Sequence, residues 1–210
     1  MPGSEKAADP RAGERVYREI KQAIIAGDLR LRQRLDIDTL AERWRVSATP
    51  VRQALAVLTA ERLVSVESTR GYYVAFWSER ELKELYEWRG TLARVAAETY
   101  APEPIALTAA QRRAHTTAYA LLMQHLEGNA SRELRLAARS ADERLHAALA
   151  AEAEALNDAA EDLLELADAL GHANKRTLQA RLKRYFRRRV QEAAAIRARA
   201  SVKALPRNGD

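Results

Sequence analysis

The sequence predicts a mainly α-helical protein in two parts, a small helix-and-hairpin unit followed by an all-helical bundle. Three observations lead to that reading. The β-branched and aromatic runs at Leu63–Glu67 and Tyr72–Phe76 are the last strand signals along the chain. Beyond Trp77 the sequence turns rich in Ala, Leu and Glu, residues with high helix propensity. Charge then separates by segment: residues 142–174 carry one basic and nine acidic groups, and residues 175–210 carry twelve and two. Opposite blocks on neighbouring helical stretches suit two helices that fold against each other.

The 210 residues are long enough for one large domain or two small ones, each with a real core. No cysteine is present, which excludes disulfide frameworks, thiolate zinc sites and cysteine nucleophiles. The net charge of +6 favours an anionic partner such as nucleic acid. No uncharged run approaches the roughly 20 residues that span a bilayer, and the start lacks the apolar core of a signal peptide. A cytoplasmic protein with no membrane partner is expected.

Residues 1–13, rich in Pro, Gly and charge, read as a disordered lead-in. From Glu14, Val16, Tyr17, Ile20, Ile24 and Ile25 recur at helical spacing until Gly27 and Asp28 stop the pattern. A short helix over Ile37–Arg43 follows, capped by Asp36, with Leu40 and Trp44 facing inward. Ser47 and Pro50 suit the start of a third helix, in which Val51, Leu55 and Leu58 form one apolar stripe as far as Ala60. The two strand-like runs are joined by Ser68, Thr69, Arg70 and Gly71, a hairpin signal. Three helices and a hairpin make a winged helix-turn-helix over residues 14–77. Five helices are expected after it, at about 79–100, 106–127, 130–155, 157–170 and 175–199. They form an all-α domain over 78–200, with a tail at 201–210.

On the third helix the apolar stripe leaves Thr49, Arg52 and Gln53 on the opposite side near the N-terminus, the end that a helix-turn-helix presents to base edges. Arg52 suits a bidentate pair with guanine and Gln53 one with adenine. Ser47 and Thr49 suit phosphate contacts. At the hairpin tip, Gly71 permits close backbone approach and Arg70 suits a minor groove. A solvated polar face on a small helical domain is the bland alternative.

The run V-S-A-T-P-V-R-Q-A-L at Val46–Leu55, followed by L-x-x-E-R-L-V and R-G-Y-Y-V, resembles the GntR family of bacterial transcription regulators over residues 14–76. That resemblance implies double-stranded DNA as partner and a homodimer on a near-palindromic site. Three departures accompany it. Ala48 stands where an arginine is common, Asp38 where a basic residue is common, and Arg32 with Gln33 replace a proline-glycine pair.

E-L-Y-E-W-R at Glu84–Arg89 opening a helical stretch is similar to the FCD-type domain of the FadR branch. The resemblance implies that 78–200 is a ligand-binding or dimerisation domain with a small organic-acid effector, often held through a metal on one aspartate and three histidines. Asp142 and His146 match the first two ligands as D-E-R-L-H, and a spacing of four puts them on one helix face. The other two positions fall on Leu163 and Tyr185, so the set is incomplete and no cofactor is expected. An ordinary helix-face pair is the alternative for Asp142 and His146. Arg89 suits an effector carboxylate, its alternative being a salt bridge to a neighbouring acid. The basic run from Lys175 to Arg189 is read as pairing with the acidic run before it, in preference to a second nucleic-acid surface.

The expected function is a sequence-specific, dimeric, effector-responsive transcription regulator. The rivals are an effector-blind architectural DNA-binding protein and, from the enzyme class, a metal-dependent hydrolase using Asp142, Glu143 and His146. The second lacks a full ligand set.

Overall fold

A computed structural model describes residues 10–67, 70–172 and 174–204, and it divides the chain into two compact units, with the sequence boundary between Phe76 and Trp77. The first unit begins with α1 (Pro10–Ala26), so residues 10–13 of the expected lead-in are helical, and residues 1–9 lie outside the described set. Val16, Ile20 and Ile24 are fully buried on α1 and meet Val51, Leu55 and Leu58, equally buried, on α3 (Ala48–Ala60). Each of these aliphatic side chains removes apolar surface worth about 1.5–3 kcal/mol from water. Tyr17 donates to Glu61 at 2.6 Å and Lys21 pairs with the same carboxylate at 3.0 Å, which ties α1 to the far end of α3.

Asp36 caps α2 (Ile37–Trp44) by accepting the Thr39 N–H at 3.0 Å, as its position predicted. Trp44 does not face inward as expected: it is only half-buried, and the Arg43 guanidinium lies 5.1 Å from its ring centre. The hairpin of β2 (Val64–Glu67) and β3 (Gly71–Val74) is present, and Gly71 has φ +94°, a left-handed conformation that glycine adopts without strain. A third strand, β1 (Arg34–Leu35), pairs antiparallel with β3 and gives the order β1-β3-β2.

The second unit is all-helical. Trp77 belongs to it rather than to the first unit, because its indole donates to Arg144 O at 3.1 Å and its carbonyl accepts from Arg197 at 2.8 Å. A Ser78–Glu81 capping box opens α4 (Glu79–Ala96), which ends four residues short of the expected bound. The single helix expected at 106–127 is two, α5 (Ala109–Arg113) and α6 (His115–Leu126), broken at Ala114, where ψ is 89°. Next come α7 (Arg132–Ala155) and α8 (Ala159–His172), separated at Leu156, whose backbone is extended. The last expected helix is also two, α9 (Lys175–Gln191) and α10 (Ala193–Ala204), with a break at Glu192. Residues 201–204 of the expected tail are helical, and 205–210 lie outside the described residues.

α4 is the central element of this unit, packing on both α7 and α9. Its contact with α9 is close because Gly90 lacks a side chain: a Cβ there would stand 2.8 Å from Phe186 Cβ. No helix among the described residues is long and apolar enough to cross a membrane.

Candidate nucleic-acid interface

The N-terminal end of α3 carries the first site. Burial of Val51, Ala54, Leu55 and Leu58 on one side leaves Thr49, Arg52 and Gln53 exposed on the other, with Ser47 exposed just before the helix. Arg52 has no hydrogen-bond or ion-pair partner among the described residues. The Gln53 carboxamide lies against α1, where its Oε1 would sit 3.3 Å from a Cβ placed on Gly13.

Ser47 has the extended backbone of an N-cap, yet its hydroxyl makes no capping bond. This corrects the expectation of a hydroxyl cap, and the sequence supplies the reason. A capping hydroxyl accepts the N–H of the second or third helical residue. Pro50 is the third residue of α3 and has no N–H.

Arg70, at the hairpin turn, is exposed, and its guanidinium lies 3.8 Å from the Glu67 carboxylate. Ser68 and Thr69 of the same turn lie outside the described residues. Arg70 and Gly71 are thus held at the turn that joins β2 and β3.

The helical unit presents the other predicted residues in a different arrangement. Arg89 is completely buried: its Nε meets Asp142 Oδ1 at 2.6 Å, and its Nη2 meets Asp142 Oδ2 at 3.1 Å and Glu127 Oε1 at 2.6 Å. Tyr119 donates to Asp142 Oδ1 at 2.7 Å. Burial works against the Arg89 charge, but Tyr119 and the two carboxylates hold its pKa above the usual arginine value. Burial pushes the Glu127 carboxyl up, and the Arg89 charge only partly offsets it.

The expected metal pair, Asp142 and His146, is engaged by other partners. Both oxygens of Asp142 accept hydrogen bonds from Arg89 and Tyr119, while His146 Nδ1 lies 2.9 Å from Glu143 O. Among the described residues no three His, Asp or Glu side chains converge. Leu163 and Tyr185 are both buried, and Tyr185 stacks on Tyr119 with ring centres 6.3 Å apart. An i,i+4 spacing placed Asp142 and His146 on one helix, but Arg89 and Tyr119 from other helices take the Asp142 oxygens, and His146 bonds within its own helix.

A second buried cluster continues from the first. Glu152 is fully buried and accepts from Tyr86 at 2.6 Å and from Arg189 at 3.1 Å, with His115 Nε2 at 3.0 Å. Burial alone would push the Glu152 carboxyl up; Arg189 and these hydrogen bonds together hold it below the usual carboxylate range. The acidic and basic runs pair as read: Arg181 with Glu165, Arg188 with Asp162, and Arg189 with Asp162.

Residues 12–74 match the family of bacterial regulatory proteins, gntR family. The first unit is similar to members of that family over these residues. Over 76 residues it is 38% identical to the HTH-type transcriptional repressor GlaR of Escherichia coli (strain K12), a match covering 36% of this chain and 34% of that protein. It is 32% identical over 77 residues to the gluconate operon transcriptional repressor of Bacillus subtilis (strain 168), covering 37% and 31%. The chain thus spans about a third of the length of these curated relatives. The fold extends further. A putative transcriptional regulator GntR from Rhodococcus sp. RHA1 covers 88% of this chain and 98% of its own with a TM-score of 0.71 at 21% identity. E. coli McbR/YncC covers 87% and 97% with a TM-score of 0.61 at 20% identity.

Within this first unit the sequence pattern missed three arginines. Arg32, Arg45 and Arg62 are the non-glycine residues with positive φ among the described residues, at 61°, 52° and 60°, and all three are exposed. Arg45 lies in the turn between α2 and α3, three residues from Ala48 at the start of α3. Nothing in the sequence signals such a conformation, because arginine, unlike glycine, is not a residue that favours it.

Proposed function

We propose that this protein is a sequence-specific, dimeric transcription regulator of the FadR branch, reading double-stranded DNA with α3 and using an FCD-type helical unit for dimerisation and effector response. The unpartnered Arg52, exposed on the first turns of α3 opposite a fully buried apolar stripe, carries this reading. Thr49 and Gln53 share that exposed end, and the Ser47 hydroxyl, which makes no capping bond, is available to a phosphate oxygen. Arg70 and Gly71 at the hairpin turn reach the adjacent groove. Arg45 joins them as a phosphate contact, since an exposed arginine held in a left-handed turn beside a recognition helix points to a functional constraint. Asp142 serves a structural ion-pair cluster with Arg89 and Glu127 rather than a metal, and His146 bonds the backbone of its own helix, which leaves a hydrolase little support. The effector is therefore bound without a resident metal, and Arg89 holds the bundle together instead of receiving the effector carboxylate.

Selection of bound sequences from a random DNA pool by the full chain tests the proposal. A palindromic consensus with half-sites about one helical turn apart, or a multiple of that, is the expected result. Recovery of an unenriched pool at physiological salt would remove sequence-specific reading.

A further inference from the structure

Gln53 stands on the exposed side of α3, yet its carboxamide leans on the first turns of α1, with Oε1 3.3 Å from where a Cβ on Gly13 would be. It makes no hydrogen bond among the described residues, so its amide donor and its acceptor are both unspent. Packing against α1 alone holds it.

The glycine on the other side of that contact is not there for its backbone. Gly13 lies inside α1, and Gly27 and Gly71 are the glycines with positive φ among the described residues. Glycine weakens a helix interior relative to alanine, so position 13 gives up stability. What it gains is space. A Cβ would come closer to Gln53 Oε1 than ordinary van der Waals contact. α1 has no room to retreat, because Val16 and Ile20, three and seven residues further on, are fully buried where α1 packs on α3. The group that gives way is the Gln53 carboxamide.

Arg52 and Gln53 are successive residues, so their side chains leave α3 about 100° apart and address different places on a duplex. Arg52 has no neighbour to steer it, whereas Gln53 has α1 as a wall. A glutamine side chain loses rotamer freedom when it is ordered on a ligand, and a carboxamide already lodged against a helix has less to lose. A bidentate pair with a base edge also needs donor and acceptor in place together, which a displaced amide does not provide.

We propose that Gly13 is a positioning residue for base reading: the space it leaves on α1 lodges the Gln53 carboxamide and thereby sets how sharply Gln53 discriminates its base in double-stranded DNA. The proposal rests on the regulator reading above, and Gly13 acts through Gln53 rather than on the base.

The test is competition binding of the full chain to its selected site and to every single-base variant of that site. Wild type, Gly13→Ala, Gln53→Ala and the double variant are compared, with melting curves confirming that each folds. Gln53→Ala lowers discrimination at one base position by about five-fold or more. Gly13→Ala changes discrimination at that same position by about three-fold or more, keeps the preference at the position read by Arg52, and adds nothing once Gln53 is alanine. A glycine that mattered only to the stability of α1 would not give that pattern, since its effect would not follow the Gln53 side chain. Unchanged preferences in Gly13→Ala or in Gln53→Ala overturn the proposal. So does a Gly13→Ala effect that spreads evenly over all positions or survives in the Gln53→Ala background. A wild-type chain that selects no sequence defeats the regulator reading and this proposal with it, whereas a selected site that Gly13→Ala reads as wild type does defeats the proposal alone.

Discussion

The Arg89 guanidinium grips both oxygens of Asp142 from inside the helical bundle, Nε to Oδ1 at 2.6 Å and Nη2 to Oδ2 at 3.1 Å. A metal ion at Asp142 would have to displace that pair, and His146 offers it a single further ligand where catalytic sites generally use three protein donors and structural sites four. Purified protein is therefore expected to hold less than stoichiometric zinc, nickel or manganese after dialysis, and chelator is expected to leave its melting temperature unchanged. Elemental analysis showing one tightly held ion per chain, lost on His146→Ala, would reverse this. Arg89→Met is expected to cost about 3–5 kcal/mol in denaturant titration, because it strands two carboxylates without their cation.

Glu127 makes stability depend on pH. Its carboxyl is raised by burial, with Arg89 only partly offsetting the effect. A carboxyl with a folded pKa above its unfolded value binds its proton more tightly in the folded state, so stability declines as pH rises from about 4.3 through the folded pKa. Glu127→Gln retains an acceptor for Arg89 and removes the titration. The variant's melting temperature is expected to gain on wild type progressively as pH rises above that value; a difference that shrinks with pH would give the shift the opposite sign.

The caps of α2 and α3 are expected to respond differently to alanine. Asp36 bonds both the N–H and the hydroxyl of Thr39, so Asp36→Ala should cost about 0.5–2 kcal/mol. Ser47 makes no such bond, and Ser47→Ala should leave stability unchanged while lowering DNA affinity. Chemical denaturation and fluorescence anisotropy on the selected site measure the two effects; a destabilised Ser47→Ala protein would restore the cap.

Arg52→Ala is expected to lower affinity for the selected site by roughly 1–3 kcal/mol and to relax one base position, with the melting temperature intact. Equal losses on selected and random duplexes would reduce Arg52 to a phosphate contact. Unchanged affinity on both would remove it from the interface.

Arg45→Gly separates stability from binding. Release of a non-glycine residue from φ 52° should raise stability by about 1 kcal/mol. Loss of one phosphate contact should weaken DNA binding on every sequence and reduce the salt dependence by about one unit. A variant that binds as well as wild type would show that the conformation serves the turn alone.

Local pattern was enough for most of the first unit. The spacing of Val16, Ile20 and Ile24, the cap at Asp36, the stripe of Val51, Leu55 and Leu58 and the hairpin signal at Gly71 each act within a few residues, where side-chain periodicity and backbone preference decide the conformation. The charge separation between residues 142–174 and 175–210 likewise announced the pairing of α8 with α9, because a short turn leaves two adjacent helices little choice but to meet. Tertiary structure decided what depends on partners far along the chain. β1 is two residues long and exists because β3, almost forty residues later, supplies its hydrogen bonds. Asp142 and His146 share a helix face by spacing alone, but Arg89 and Tyr119, 53 and 23 residues away from Asp142, take its oxygens. The sequence carries the chemistry of each side chain; which opposite charge reaches a buried one first is set by how the helices pack, and in a low-dielectric interior that contact outweighs any preference the spacing expressed.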